Sequence, residues 1–218
     1  MSDADALTLT GFRDSVYTWS VRWALAEMGL AHGYVEVNPF EGQAVRGHPF
    51  GLVPVLRHGD FSLYETAAIL GYLDRVQAGP RLTPADARRA ARMAQVMSVT
   101  ASQVYWPLVR QVYSNGFYLP MEGQVGDAAV LRAGLAQASV ALGALDVVAQ
   151  EGLVLRGDAL TLADLMLAPM LICFARVPEG AAMLAGFEAL AAWLERMRAR
   201  PHLRATVPPC LRKEESHG

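Results

Sequence analysis

The chain has few cysteines and almost no excess of charge, and each shortage excludes a class of protein. Its 218 residues include two cysteines, Cys173 and Cys210, too few for a disulfide framework and consistent with a reducing compartment. The formal net charge is −2, with no block of like charge. Neither nucleic acid nor an anionic membrane is therefore an indicated partner.

Targeting and membrane signals are also missing from the sequence. The start, MSDAD, lacks the basic and apolar regions of a secretory signal. The longest apolar run, residues 165–175, contains Pro169 and is shorter than the roughly 20 residues of a membrane span. The five histidines show no metal-ligand spacing. We expect a cytoplasmic protein without a metal, and its 53% hydrophobic residues predict a large core.

The predicted secondary structure changes near residue 80. Before it, strand-like runs at 7–10, 34–37, 52–56 and 61–63 alternate with helical patterns at 19–28 and 65–75. After it, helices are predicted at about 83–113, 127–149, 162–174 and 188–198. Thr83 and Pro84 predict the first of these helix starts, and Pro107 predicts a bend. The sequence thus predicts a small α/β domain at 1–79 and an all-helical domain at 84–212.

Pro54 interrupts a run that otherwise reads as a strand, LVPVL. Proline cannot donate to a sheet ladder, so it is normally confined to edges, bulges and strand starts. It is also the residue for which a cis peptide bond costs least. Pro54 is therefore either an ordinary edge proline or part of a turn that leaves backbone groups free for a ligand.

Three stretches resemble one family when they are taken in order and spacing. They are GFRDSVYTWSVRWALAEMGL, the pair HPFGLVPVL and GDFSLYETAAILGYL, and GDALTLADLMLAPML. Over nearly its whole length the chain resembles the cytosolic glutathione transferases, in particular their serine-type, bacterial-like members. The resemblance implies a thioredoxin-like N-terminal domain, an all-α C-terminal domain, a homodimer, glutathione as co-substrate and a role in detoxification.

The resemblance assigns glutathione to the first domain. It implies a cis bond between Val53 and Pro54, which exposes the amide and carbonyl of Val53 to pair with the glutathione backbone. It also implies that Glu65 and Thr66 receive the γ-glutamyl end, Glu65 towards the ammonium and Thr66 towards the carboxylate. The alternative for this pair is a capping threonine beside an acid that complements the helix dipole.

The first loop is where the resemblance places thiol activation. It favours Ser15, whose hydroxyl beside a helix N-terminus would stabilise the glutathione thiolate, over Tyr17 and then Thr18. Ser15 is otherwise only an N-cap. This loop has no C-x-x-C pair, which argues against thiol–disulfide exchange.

Two features depart from the family pattern. Leu52 stands where the family often has Lys, Arg or Gln facing the glycine carboxylate of glutathione, so Arg46 is favoured as its substitute over Gln43 or His48. Residues 38–48 are also short for the usual second helix, which predicts a turn or loop there.

The resemblance places the electrophile pocket near an aromatic stretch of the long helix, with the first loop opposite. Aromatic stripes at helical spacing are often core residues, so we expect about half of them to be packing residues. The candidates are Tyr17, Trp19, Tyr105, Trp106, Tyr113, Phe117 and Tyr118.

The resulting interpretation is a glutathione transferase that adds the glutathione thiolate to a hydrophobic electrophile. The alternatives are glutathione-dependent dehalogenation, ether cleavage or peroxide reduction, and a non-catalytic glutathione-binding scaffold. Thr161 and Asp164 are interpreted as a capping box with a role in folding.

Overall fold

The computed structural model describes residues 6–42 and 44–212, which form two compact units. The first unit contains residues 6–81 together with 201–212, and the second contains residues 82–200. Residues 201–212 were predicted to belong to the helical domain. The structure packs these residues on the first unit instead, through contacts with its first helix.

A mixed four-stranded sheet forms the centre of the first unit. Its strands are β1 (Leu7–Gly11), β2 (His32–Glu36), β3 (Val55–His58) and β4 (Phe61–Tyr64), in the order β2-β1-β3-β4. β1 is parallel to β2, whereas β1–β3 and β3–β4 are antiparallel. Along β1, buried Leu7, Leu9 and Gly11 alternate with half-buried threonines, the period-2 pattern that predicted it.

Two longer helices pack together in this unit, α1 (Val16–Glu27) and α2 (Thr66–Val76). α1 buries Trp19, Trp23 and Leu25, and α2 buries residues 69, 70 and 73. Gly11 lets α1 lie close to β1, because a Cβ at that position would overlap the side chain of Thr18. Between β2 and β3 lies one short 3₁₀ turn, Pro39–Glu41. Two short helices, α9 (Pro201–Ala205) and α10 (Pro209–Arg212), complete the unit.

The regular secondary structure in the described residues of the second unit is helical. α3 (Ala87–Val99) continues through a π-helical segment (Thr100–Tyr118) into α4 (Leu119–Met121), followed by α5 (Ala128–Glu151), α6 (Leu162–Phe174), α7 (Pro178–Ala185) and α8 (Glu188–Arg198). α6 is the core of the unit, since every one of its residues except Ile172 is buried. The bounds predicted for α6 and α8 agree with the structure; α7 was not predicted.

The start and end of the long helix differ from the prediction. α3 begins at Ala87, because the Asp86 carboxylate caps it by accepting a hydrogen bond of 2.9 Å from the Arg89 amide. The predicted start at Thr83 is therefore wrong. The helix also continues beyond its predicted end at about residue 113 to Met121, and Pro107 lies inside the π-helical segment.

α5 has the length and composition of a membrane-spanning helix, with 24 residues and a mean hydropathy of 1.5 in its most apolar window. Core helices of globular domains pass the same test, and α5 packs along the π-helical segment. Gly134 allows this close approach, because a Cβ there would come 2.9 Å from the Pro107 carbonyl oxygen. α5 therefore packs along one side within the second unit, with 28% of its most apolar window buried.

Candidate active site

The register of the sheet brings three loop segments of the first unit to one end of the sheet. Thr10 pairs with Val55, and Val55 pairs with Tyr64, so these residues form one row across β1, β3 and β4. The first loop follows β1 at this end of the sheet, and Glu65 follows β4 at the same end. Because β3 runs in the opposite direction, Pro54, which precedes it, also lies there. The predicted ligand-binding segments are therefore neighbours, although they are up to 50 residues apart along the chain.

The Val53–Pro54 peptide bond is cis, as the resemblance implied. β3 begins only at Val55, so the predicted strand over 52–56 starts later than expected. Val53 is half-buried, and within the part of the chain that the structure describes neither its N–H nor its C=O has a hydrogen-bond partner. An unpaired backbone N–H and C=O just before a strand are the groups with which a bound peptide can pair as a further strand.

Glu65 holds an unusual backbone conformation at the N-terminus of α2. Its φ is 69° and its ψ is 116°, outside the region that a residue with a side chain normally adopts. Such conformations cost of order 1–3 kcal/mol and cluster at functional sites. Glu65 occupies the N-cap position but makes no side-chain capping bond, and its exposed carboxylate has no partner among the described residues. The first-turn amides of α2 are thus left for a ligand.

Thr66 is the first residue of α2 and is buried, so it is not the N-cap that the alternative interpretation required. Glu65 and Thr66 together present a carboxylate, a hydroxyl and unpaired amides at one helix end. This set can receive an ammonium and a carboxylate side by side. The α-amino-acid end of a peptide carries the same two groups.

Ser15 is the N-cap of α1. Its Oγ accepts a hydrogen bond of 3.4 Å from the Thr18 amide, so the hydroxyl proton remains available for donation. No acidic residue lies in the first turn of α1, and the positive end of the helix dipole is therefore not neutralised from within the helix. A thiolate beside this hydroxyl would be stabilised by both effects.

The other candidate site residues of the first loop and the start of α1 differ in how deeply their side chains are buried. Tyr17 is half-buried, whereas Thr18 is fully buried with its side chain against Gly11. Trp19 is also fully buried, and its Nε1 donates a hydrogen bond of 3.2 Å to Thr206 Oγ1. The predicted roles of Thr18 in thiol activation and of Trp19 in the electrophile pocket are corrected, because neither side chain reaches solvent.

The candidates for the glycine carboxylate also differ in exposure. Arg46 is exposed, and its guanidinium has no partner among the described residues. His48 is buried, and its Nδ1 accepts a hydrogen bond of 3.3 Å from the Phe50 amide, so this nitrogen is already used. Gln43 lies outside the described residues. Leu52 is 53% exposed, so a longer charged side chain at this position would reach solvent.

The aromatic candidates of the second unit divide into core and surface. Tyr113 and Phe117 are buried and stacked, with ring centroids 5.4 Å apart, so both are packing residues and their predicted pocket role is corrected. Trp106 is 58% exposed, and Tyr105 and Tyr118 are half-buried. Burial raises the pKa of the Tyr105 phenol above its ordinary value.

Thr161 and Asp164 form the predicted capping box. The Asp164 carboxylate accepts hydrogen bonds from the Thr161 amide (2.7 Å), the Thr161 hydroxyl (2.6 Å) and Trp193 Nε1 (2.6 Å) of α8. Burial raises the pKa of the Asp164 carboxyl, and these three donors act in the opposite direction. All three residues are buried in the second unit, so the cluster is structural.

One contact of the first loop could not be predicted from the sequence. Asp14 Oδ1 accepts a hydrogen bond of 3.2 Å from the Cys210 amide, a residue 196 positions away. Cys210 and Cys173 are both buried and are not disulfide-bonded. Among residues 6–42 and 44–212, no three His, Cys, Asp or Glu side chains come together as a metal site.

Fold and site together define a class of protein. It has a mixed four-stranded sheet with an unpaired backbone edge and a helix N-terminus at one end, and a helical unit follows. Family models for the glutathione S-transferase N-terminal and C-terminal domains match residues 9–81 and 107–201.

Individual relatives agree with the family models. A glutathione S-transferase of Pseudomonas putida is 30% identical over 208 residues, covering 90% of this chain and 89% of that protein. Glutathione S-transferase F14 of Arabidopsis thaliana is 30% identical, covering 85% and 76%. The structure of glutathione S-transferase III in apo form superposes with a TM-score of 0.80 at 29% identity, covering 93% and 95% of the two chains.

The chain belongs to the glutathione S-transferase family. It is a transferase, and glutathione is its co-substrate. The predicted fold, a thioredoxin-like domain followed by an all-α domain, is confirmed.

Proposed function

We propose that this enzyme is a serine-type glutathione transferase that adds the thiolate of glutathione to a hydrophobic electrophile. The observation that carries the proposal is the row Thr10–Val55–Tyr64, which places the Ser15 loop, Val53 and Glu65 at one end of the sheet. A thiol-activating hydroxyl thus lies in the same part of the unit as the groups suited to the rest of the tripeptide.

Each of these groups has a chemical role in the proposal. The unpaired backbone of Val53 pairs with the cysteinyl residue of glutathione, as a short added strand. Glu65 and the amides at Thr66 receive the γ-glutamyl ammonium and carboxylate, and Arg46 receives the glycine carboxylate. With the peptide held at both ends, its sulfur is directed to the Ser15 hydroxyl, which donates to the thiolate and lowers its pKa.

The electrophile is proposed to be hydrophobic because apolar and aromatic lining is usual for small-ligand sites. Of the predicted aromatic side chains, four are not fully buried and remain the candidate contacts: Tyr17 in the first unit, and Tyr105, Trp106 and Tyr118 in the second. A structure of glutathione S-transferase I in complex with an atrazine–glutathione conjugate, 26% identical to this chain, is one example of an aromatic product in a related fold.

The test follows thiolate formation in bound glutathione by ultraviolet absorbance as a function of pH. Ser15→Ala should bind glutathione nearly as well as the wild type but should raise the pH midpoint of thiolate formation. Tyr17→Phe is the matched control, since it removes the neighbouring hydroxyl. If the midpoint moves only in Tyr17→Phe, the activating residue is Tyr17.

The alternatives are distinguished by product analysis. Release of halide, cleavage of an ether or oxidation of glutathione by a peroxide, without a stable conjugate, would favour the corresponding alternative reaction. Binding of glutathione with an unshifted thiol pKa and no turnover would favour the scaffold alternative.

We also propose a homodimer and a cytoplasmic location. Phe50 is 71% exposed, and with exposed Leu52 it forms an apolar projection next to His48 and Tyr64. Exposed apolar patches of this kind mark interaction surfaces. Light scattering of the wild type against Phe50→Ser tests this part of the proposal, with Val140→Ser in the second unit as the exposed control.

A further inference from the structure

The last described residues of the chain run antiparallel to α1. We call residues 201–212 the C-terminal clasp. Three of its residues, spaced four apart, contact residues that lie successively closer to the N-terminus of α1, and the last of these contacts is with the first loop. The contacts are His202 Nδ1 with Glu27 Oε2 at 3.2 Å, Thr206 Oγ1 with Trp19 Nε1 at 3.2 Å, and the Cys210 amide with Asp14 Oδ1 at 3.2 Å.

Burial fixes the C-terminal clasp on the first unit. Leu203, Cys210 and Leu211 are all buried, so the segment contributes apolar side chains to the core of that unit. The Thr206 hydroxyl accepts from Trp19 and donates to carbonyls of its own helix at 2.9 and 3.0 Å, which uses both of its capacities. The clasp is therefore a packed element rather than a loose tail.

The contact between Cys210 and Asp14 involves the loop that contains Ser15. Asp14 precedes Ser15 directly, and the Ser15 amide donates a hydrogen bond of 3.0 Å to the Phe12 carbonyl, which makes residues 12–15 a tight turn. The Asp14 carboxylate is held by the Cys210 amide, a backbone donor in a helix that is itself packed in place. The turn is thus tied to the clasp at the residue adjacent to the activating hydroxyl.

We propose that Asp14 is a positioning residue, which holds the Ser15 hydroxyl in line with the glutathione sulfur through its hydrogen bond to the C-terminal clasp. The inference rests on the proposed role of the Ser15 loop in thiol activation. It assigns a catalytic purpose to a segment that lies almost 200 residues from the site in sequence. Misplacement of a catalytic group by about 1 Å can cost as much as 100-fold in rate, so a single tether is enough to matter.

A positioning role and a purely electrostatic role of Asp14 predict opposite shifts in the pH midpoint of thiolate formation when Asp14 is replaced by alanine. A negative charge near the sulfur disfavours the thiolate, so electrostatics alone predicts that both Asp14→Ala and Asp14→Asn lower the pH midpoint of thiolate formation. Positioning predicts that Asp14→Ala raises the midpoint. It also predicts that Asp14→Asn stays near the wild type, because the amide oxygen still accepts from the Cys210 N–H.

The experiment measures the thiolate midpoint, kcat and the glutathione Kd in the full-length chain. For Asp14→Ala we expect a rise of about one pH unit, hence about tenfold less thiolate, with kcat reduced about tenfold or more. The Kd should remain within about twofold of the wild type, since the loop activates rather than anchors the peptide. Cys210→Ala, which keeps the backbone donor, should behave like the wild type.

Several outcomes overturn the inference. One is that Ser15→Ala raises the pH midpoint of thiolate formation while Asp14→Ala leaves it unchanged or lowers it. The inference is overturned in the same way if Asp14→Ala lowers the unfolding temperature without raising that midpoint. If Asp14→Ala raises the midpoint and Ser15→Ala does not, Asp14 does not act through the Ser15 hydroxyl, and both the positioning role and the role proposed for Ser15 are wrong. If neither variant moves it, both proposals are wrong.

Discussion

Asp164 offers the sharpest test of what holds the second unit together. Asp164→Ala removes the acceptor of three buried hydrogen bonds, two from Thr161 and one from Trp193. All three donors are buried and are then left without their acceptor. The change also removes a hydrogen bond between α6 and α8, since Trp193 lies on α8.

The magnitude follows from the number and burial of these donors. A buried polar group left without a partner costs about 1–3 kcal/mol, so three of them set an upper scale of several kcal/mol. Removing the carboxylate also removes its own cost of burial, which offsets part of that loss. We expect Asp164→Ala to lower the free energy of unfolding by about 3–4 kcal/mol, and Trp193→Phe to lower it by about 1–2 kcal/mol.

Urea unfolding monitored by circular dichroism measures both values, and an unchanged m-value shows that the same transition is compared. The two losses should not add in the double variant, because both remove the hydrogen bond between Asp164 and Trp193. Glutathione affinity should stay unchanged in folded Asp164→Ala protein. A loss below about 1 kcal/mol, or full additivity, would refute the reasoning from buried hydrogen bonds.

The remaining predictions concern the first unit. Glu65→Ala should weaken glutathione binding by about 10- to 150-fold in calorimetric titration, because it removes a charge-assisted hydrogen bond; an unchanged Kd contradicts the assignment. Arg46→Ala should weaken the same binding by up to about fivefold, and Leu52→Lys should tighten it only if Arg46 contributes little. No effect from either change means that the glycine carboxylate is held by other groups. Phe50→Ser should shift the light-scattering mass from dimer towards monomer, whereas no shift places the interface elsewhere.

Local sequence signals sufficed for much of the fold. β1 was predicted because its apolar residues alternate, and α6 because an apolar run follows a capping box. Errors occurred where two local signals competed. Thr83 and Pro84 have the pattern of a helix start, yet the nearby Asp86 carboxylate caps the helix and delays its first turn to Ala87.

Burial could not be predicted from residue type alone. Trp19, Tyr113 and Phe117 share their aromatic character with Trp106, and only the packing of the helices separates core side chains from the exposed indole. Thr18 is similar to Ser15 in chemistry and lies three residues away, but α1 turns it inward against Gly11. A hydroxyl is available to a ligand only if it faces solvent, and that depends on helix phase and on neighbouring elements.

The sequence by itself determined which groups this enzyme has: a proline within a strand-like run, an acid and a hydroxyl at a helix start, and a serine before the first helix. Only the tertiary structure decided that these groups share one end of the sheet, through the register of Thr10, Val55 and Tyr64. It also decided that the chain returns at Cys210 to contact Asp14. The physical reason is that strand pairing and apolar packing join residues without regard to their distance along the chain, whereas propensity and capping act within a few residues.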